Sequence, residues 1–267
     1  MSSKKWGYAF TAVALVALSV ARADNVVTFD PQAALTQMYG GNTWKDPRLT
    51  GHVQWKGAAY VAYVSLGFDA PYTEGGHPKH VVVSLLTPEP PDQYGCHACT
   101  PLIGAAVFTP VGPGWQIESQ SLVIEDVASG HHFKLVQAGP DRHAVLVHQQ
   151  DDHQGYELDR IDVLLPYREN IRRALTVGFN ESASPDACGD GSPQSTDLTF
   201  DIHSSGELYD ALTIVRKNDG ECGHLRPTVQ QERYAYAEGA YRLVKLCSEG
   251  RRRHTQSEKR QKRCQDR

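Results

Sequence analysis

From Ala59 to Cys247 the sequence repeats one pattern. Apolar runs rich in β-branched and aromatic residues, each about eight residues long, are separated by breaks rich in Gly or Pro. Helical periodicity is absent from these runs, so the pattern predicts consecutive antiparallel strands joined by tight turns. Strands are expected at 53–55, 59–68, 80–87, 102–109, 115–124, 133–137, 143–149, 156–166, 174–179, 197–203, 207–217, 232–237 and 241–247. Residues 69–79 read as a loop, and Asn170 to Arg173 as a further strand or a helical turn. Ala59 to Phe68 is apolar at both odd and even positions, which places it inside a sheet. Tyr234 and Tyr236 fall on one strand face just before a turn at Glu238-Gly239.

One helix precedes the strands. Asp30 is a capping residue, Pro31 suits the first helical position, and Gly40-Gly41 is a stop. The predicted class is therefore α+β, mainly antiparallel β in a meander or sandwich, with one or two short helices and disulfide stabilisation.

The first 23 residues have a different character. Lys4 and Lys5 precede a short uncharged apolar core from Trp6 to Val20, and Ala21-Arg22-Ala23 is a small-x-small cleavage sequence. Residues 1–23 read as an export leader. The expected location is periplasmic or secreted, and no later segment is apolar enough to predict a membrane span. The strand-rich body is assigned to 24–247 as a single domain, with a sub-boundary near 180–195. Residues 248–267 read as a basic, disordered tail.

Export alters the meaning of the six cysteines, because an oxidising compartment lets thiols pair. Cys96 with Cys99 and Cys188 with Cys222 are the favoured pairs; Cys247 and Cys264 remain. A Cys188–Cys222 bond would tie together the ends of the strands at 197–217. Cys96-His97-Ala98-Cys99 is the single Cys-x-x-Cys. A thioredoxin-like redox site needs a helix behind the first thiol, yet Thr100-Pro101 and a strand-like run follow. Covalent haem needs His directly after the second cysteine, and zinc needs two more ligands. The expected role of this pair is a structural loop that launches a core strand, with His97 at its tip and Trp115 on the return strand as candidate binding residues.

Other motifs give weaker chemistry. His77 and His80 enter a strand, and Asp151-Asp152-His153 gathers two carboxylates with an imidazole before a hairpin. His143 and His148 are an odd number apart and face opposite sides of one strand. Asp186 to Asp197 echoes a calcium loop, but cysteine stands at its third position and proline at its eighth. No Gly-x-Ser-x-Gly elbow is present. No catalytic residue, resident metal or cofactor is assigned on this basis.

Charge divides the chain. Asp24 to Val244 holds 28 acidic against 15 basic side chains, whereas Lys245 to Arg267 holds 9 basic against 3 acidic. An acidic body excludes nucleic acid as the expected partner. It points to a protein partner, with weak contact of the basic end to anionic surfaces. The leading expectation is a non-enzymatic exported binding protein, such as an inhibitor or immunity-type partner of an envelope-acting protein. The alternatives are a thiol-disulfide oxidoreductase using Cys96 and Cys99, or a metal-dependent hydrolase using His77, His80 or the Asp151 to His153 cluster.

Overall fold

The computed structural model describes residues 28–40, 44–45, 48–89, 101–126, 130–153, 156–182, 195–201, 209–218, 228–251 and 260–266. The expected leader and Cys96, His97, Cys99, Cys188 and Cys222 lie outside them. One helix, α1 (Pro31–Tyr39), begins as its sequence requires: the Asp30 carboxylate accepts from the Gln32 backbone N–H, and Gly40 ends it in a left-handed conformation.

All other described elements are strands in three antiparallel meanders. The first sheet contains β1 (Trp44–Lys45), β2 (Arg48–Trp55), β3 (Ala58–Glu74), β4 (His77–Glu89), β5 (Leu102–Val111) and β6 (Gly114–Asp126), in that order. The second contains β7 (Gly130–Gly139), β8 (Arg142–His153), β9 (Tyr156–Tyr167) and β10 (Asn170–Ser182), again paired in sequence order. In the third, β11 (Ser195–Asp201), β12 (Ala211–Asn218), β13 (Thr228–Ala237), β14 (Ala240–Arg251) and β15 (Arg260–Asp266) follow suit.

The expected antiparallel meander is thus observed, with four corrections. Asn170 to Arg173 open β10 and pair with Tyr167 to Leu164, so no helical turn forms there. Residues 69–79 belong mostly to the β3–β4 hairpin, which turns at Gly75-Gly76 with positive φ at both residues, as a two-residue hairpin loop prefers. Pro71 and Pro78 are tolerated because β2 pairs only as far as Val64 on β3, and β5 only from His80 on β4. Each proline therefore turns its missing N–H to an open strand edge. Arg260 to Asp266, expected in a disordered tail, instead pair with Lys245 to Arg251. Finally, β3 has a partner strand on both sides only at 61–64, and there only Ala62 and Val64 on one of its faces are fully buried.

Strand alternation stacks the layers. On β4 and β5, Val82, Leu86, Leu102, Ala106 and Phe108 face α1, where they meet Ala34, Leu35, Met38 and Tyr39. Their odd-numbered neighbours Val81, Val83, Ile103, Ala105 and Val107 face the second sheet and meet Val145, Val147, Leu164 and Ile171. The opposite face of the second sheet presents Ala144, Leu146, Ile161, Val163 and Leu165 to Tyr209, just before β12, and to Leu212, Ile214 and Tyr241 of the third. The order is helix, sheet, sheet, sheet. Edge contacts reinforce it: the Ile171 backbone N–H donates to Ser121 Oγ at 3.2 Å, and the Asp210 N–H donates to the Ala138 carbonyl at 3.0 Å.

Cys247 and Cys264, directly opposite each other on β14 and β15, form a disulfide. Tyr234 and Tyr236 pack against the core between the second and third sheets, as their shared face predicts.

Candidate binding site

Of the sequence-selected binding residues, Trp115 lies among the described ones. It sits at the start of β6 in an aromatic group closed by the residue that leads into α1. Phe29, just before the helix cap, stacks on His80 with ring centroids 3.6 Å apart and planes 9° from parallel. Trp115 meets Phe29 edge-on at 5.2 Å and His80 at 6.0 Å, while Phe108 closes the other side of Phe29 at 5.4 Å. His80 is buried, and its Nε2 lies 2.8 Å from Asp69 Oδ2. A carboxylate only accepts, so Nε2 carries the proton. His80 is thereby engaged in holding α1's lead segment to the sheet. His77, three residues earlier on the same strand, is exposed on the opposite face, so the two do not converge on one ligand.

A second polar group lies between the first two sheets. Asp162 is buried on β9 among apolar residues, where Gln149 Nε2 and Thr176 Oγ1 donate to its carboxylate. Arg160 Nε lies 3.6 Å away and Arg173 4.0 Å, and Arg160 also donates to Gln149 at 2.9 Å. Burial pushes the Arg173 guanidinium below its usual range. Glu232 forms a counterpart between the second and third sheets. It accepts from Tyr234 at 2.7 Å and Gln230 at 2.7 Å, while Arg216 pairs with it and donates to the Gly178 carbonyl. Each buried carboxylate thus has the compensation that desolvation demands.

At the far end of β8, Arg142 pairs with Glu74, and the Tyr72 and His143 rings lie 4.8 Å apart. Burial lowers the His143 pKa and raises those of Tyr39, Tyr72, Tyr209, Tyr234, Tyr236 and Tyr241 above the ordinary phenol. Asp151, Asp152 and His153 occupy the end of the β8–β9 hairpin, His153 opposite Tyr156.

The outer face of the third sheet is of another kind. By pairing register the basic positions 217, 233, 242, 245, 251, 260 and 262 fall on it, together with the acidic positions 197, 201, 249 and 266. Arg233 and Lys245 stand exposed and directly opposite each other. Two cations in one cross-strand pair repel, while on its other side Lys245 stands opposite Asp266 of β15. The sequence reading missed this face because it treated residues beyond 247 as a tail. The alternation of Lys245, Arg251, Arg260 and Lys262 at odd positions on one strand and even positions on the next was the available signal.

The chain matches no known family model, curated protein or solved structure.

Proposed function

We propose that this chain is an exported, non-enzymatic binding protein that recognises a protein partner by charge. The observation that carries the reading is the outer face of the third sheet, where seven basic positions stand against four acidic ones in a chain whose formal net charge is −4. Charge segregated in this way steers an oppositely charged surface into register and speeds its encounter. The leader-like residues 1–23 support export, and an inhibitor or immunity-type partner of an envelope-acting protein fits a stable layered framework presenting one charged face.

Immobilised mature protein should retain a stoichiometric partner from envelope or culture-fluid fractions at low salt and release it as salt rises. The double charge reversal Arg233→Glu with Lys245→Glu should abolish retention, whereas reversal of exposed Lys134 on the second sheet should not. Equal recovery by the wild type and the double reversal would refute the reading. Thiol oxidoreduction rests on Cys96 and Cys99 outside the described residues, and no structural observation favours it over binding.

A further inference from the structure

We propose that His132 and His148 form a surface chelate for a divalent transition-metal ion, with Cu2+ the preferred occupant. The two residues are directly opposite each other on β7 and β8. Their rings face each other with centroids 4.4 Å apart and planes 19° from parallel. Directly opposed residues in an antiparallel pair hold their Cβ atoms about 4.5–5.5 Å apart, and a metal-bound imidazole nitrogen sits about 2.0–2.1 Å from its ion.

An imidazole lone pair lies in its ring plane, so the two rings must turn out of the stack about their Cα–Cβ and Cβ–Cγ bonds to share one ion, a side-chain change that the backbone spacing permits. Accessibility favours the same reading, since His132 is exposed and His148 half-buried. An ion can enter from water and keep water molecules in its remaining positions. Exposed Lys134, next along the same face of β7, has a flexible stem that carries its charge outward.

The donor set selects the ion. Neutral imidazole suits copper, nickel and zinc, and among these a site without enforced geometry follows the Irving–Williams order, which peaks at Cu2+. Among the described residues no group of three His, Cys, Asp or Glu side chains gathers for a metal, so the site is bidentate and exchangeable rather than a closed structural centre. It is independent of the charged face proposed above, which lies on another sheet.

The test is competitive titration of the mature protein with Cu2+ against a chromogenic chelator, together with the nitrogen hyperfine pattern of bound Cu2+ by electron paramagnetic resonance. Wild type should bind one ion with two equivalent nitrogens. His132→Ala and His148→Ala should each weaken binding by more than the roughly 10–100-fold cost of losing an outer-shell partner, and should reduce the pattern to one nitrogen. Exposed His77→Ala should leave both readouts unchanged. Unaltered affinity in His132→Ala, or equal weakening by His77→Ala, overturns the proposal. His132 is exposed, so its variant folds and decides the matter even if His148→Ala does not.

Discussion

Gly104 on β5 is the position where a single methyl group should do most damage. Between Ile103 and Ala105 the register to β6 jumps from Glu125 to Ser121, and the extra β6 backbone bows over Gly104. Into the same space Tyr39, the last residue of α1, directs its hydroxyl. It donates to the Leu122 carbonyl at 2.9 Å, and because that uses its one proton, Ser84 must donate to it across the 2.6 Å contact. A Cβ on residue 104 would come closer than 3.0 Å to the Tyr39 hydroxyl, the Leu122 carbonyl oxygen and the Ser84 hydroxyl.

The cost of Gly104→Ala can be bracketed. Complete expulsion of Tyr39 would expose the roughly 150–250 Å² that such a ring buries, worth about 4–6 kcal/mol at 25 cal/mol per Å². Local overpacking without expulsion costs about 1–3 kcal/mol, and loss of two hydrogen bonds adds about 1 kcal/mol each. Against this, Ala in a strand recovers about 0.5–1 kcal/mol relative to Gly. The net expectation is about 3 kcal/mol, or a thermal midpoint lower by about 6–12 °C for a chain of this size.

Urea and thermal unfolding of the protein measure it. Tyr39→Phe removes the atom nearest the new methyl, so in that background Gly104→Ala should cost about 1 kcal/mol, the Leu122 carbonyl remaining in the way. A Gly104→Ala protein within about 0.5 kcal/mol of wild type would refute the packing argument, as would strict additivity with Tyr39→Phe.

Three further outcomes follow from buried or cross-linked groups. Asp162→Ala should destabilise by about 3 kcal/mol in urea unfolding, because it removes the carboxylate from the buried Gln149 donor and the half-buried Arg160 charge, while Arg173 and Thr176 reach solvent; a change below about 1 kcal/mol would show that the network is wet. The tyrosines with raised folded pKa values are held neutral by the fold, so their contribution to stability is complete below the unfolded phenol value near pH 10 and is lost as pH climbs above it. The part of the phenolate absorbance that belongs to these tyrosines should therefore rise in one cooperative step coincident with loss of circular dichroism, not as a gradual titration. Cys264→Ser should free β15, making it the first site of proteolysis and lowering stability by about 3 kcal/mol, as expected for a 17-residue separation; identical digestion of variant and wild type would contradict the cross-strand bond.

Strand existence was readable in the sequence because its punctuation is local. Gly75-Gly76 and Glu238-Gly239 close two-residue turns, and each apolar run ends where the chain must reverse. Layer order was less readable. Val81-Val82-Val83 and Leu102 to Phe108 declare by their composition that both faces are buried, but not that one face meets α1 and the other a second sheet. That information resides in long-range pairing. The histidine pair lies between these cases. A hairpin turning at Pro140-Asp141 places 132 opposite 148, yet considering 143 and 148 on their own strand leads away from it.

The asymmetry of the stack gives the charged face its meaning. The first sheet has α1 on one side and the second sheet on the other, and the second sheet is enclosed by both neighbours. The third sheet ends the series. An outermost strand face must be covered or made polar, and ordinary solubility would be met by charges of mixed sign. Here Arg233 opposes Lys245, a like-charge pair, while Lys245 also stands opposite Asp266 of β15. The Arg233–Lys245 pair costs the sheet stability that Thr at 233 would restore while leaving Lys245 opposite Asp266. Replacing Arg233 by Thr should accordingly raise the unfolding midpoint while weakening partner retention. A protein that lost stability and kept its partner would show that these cations serve the sheet rather than recognition.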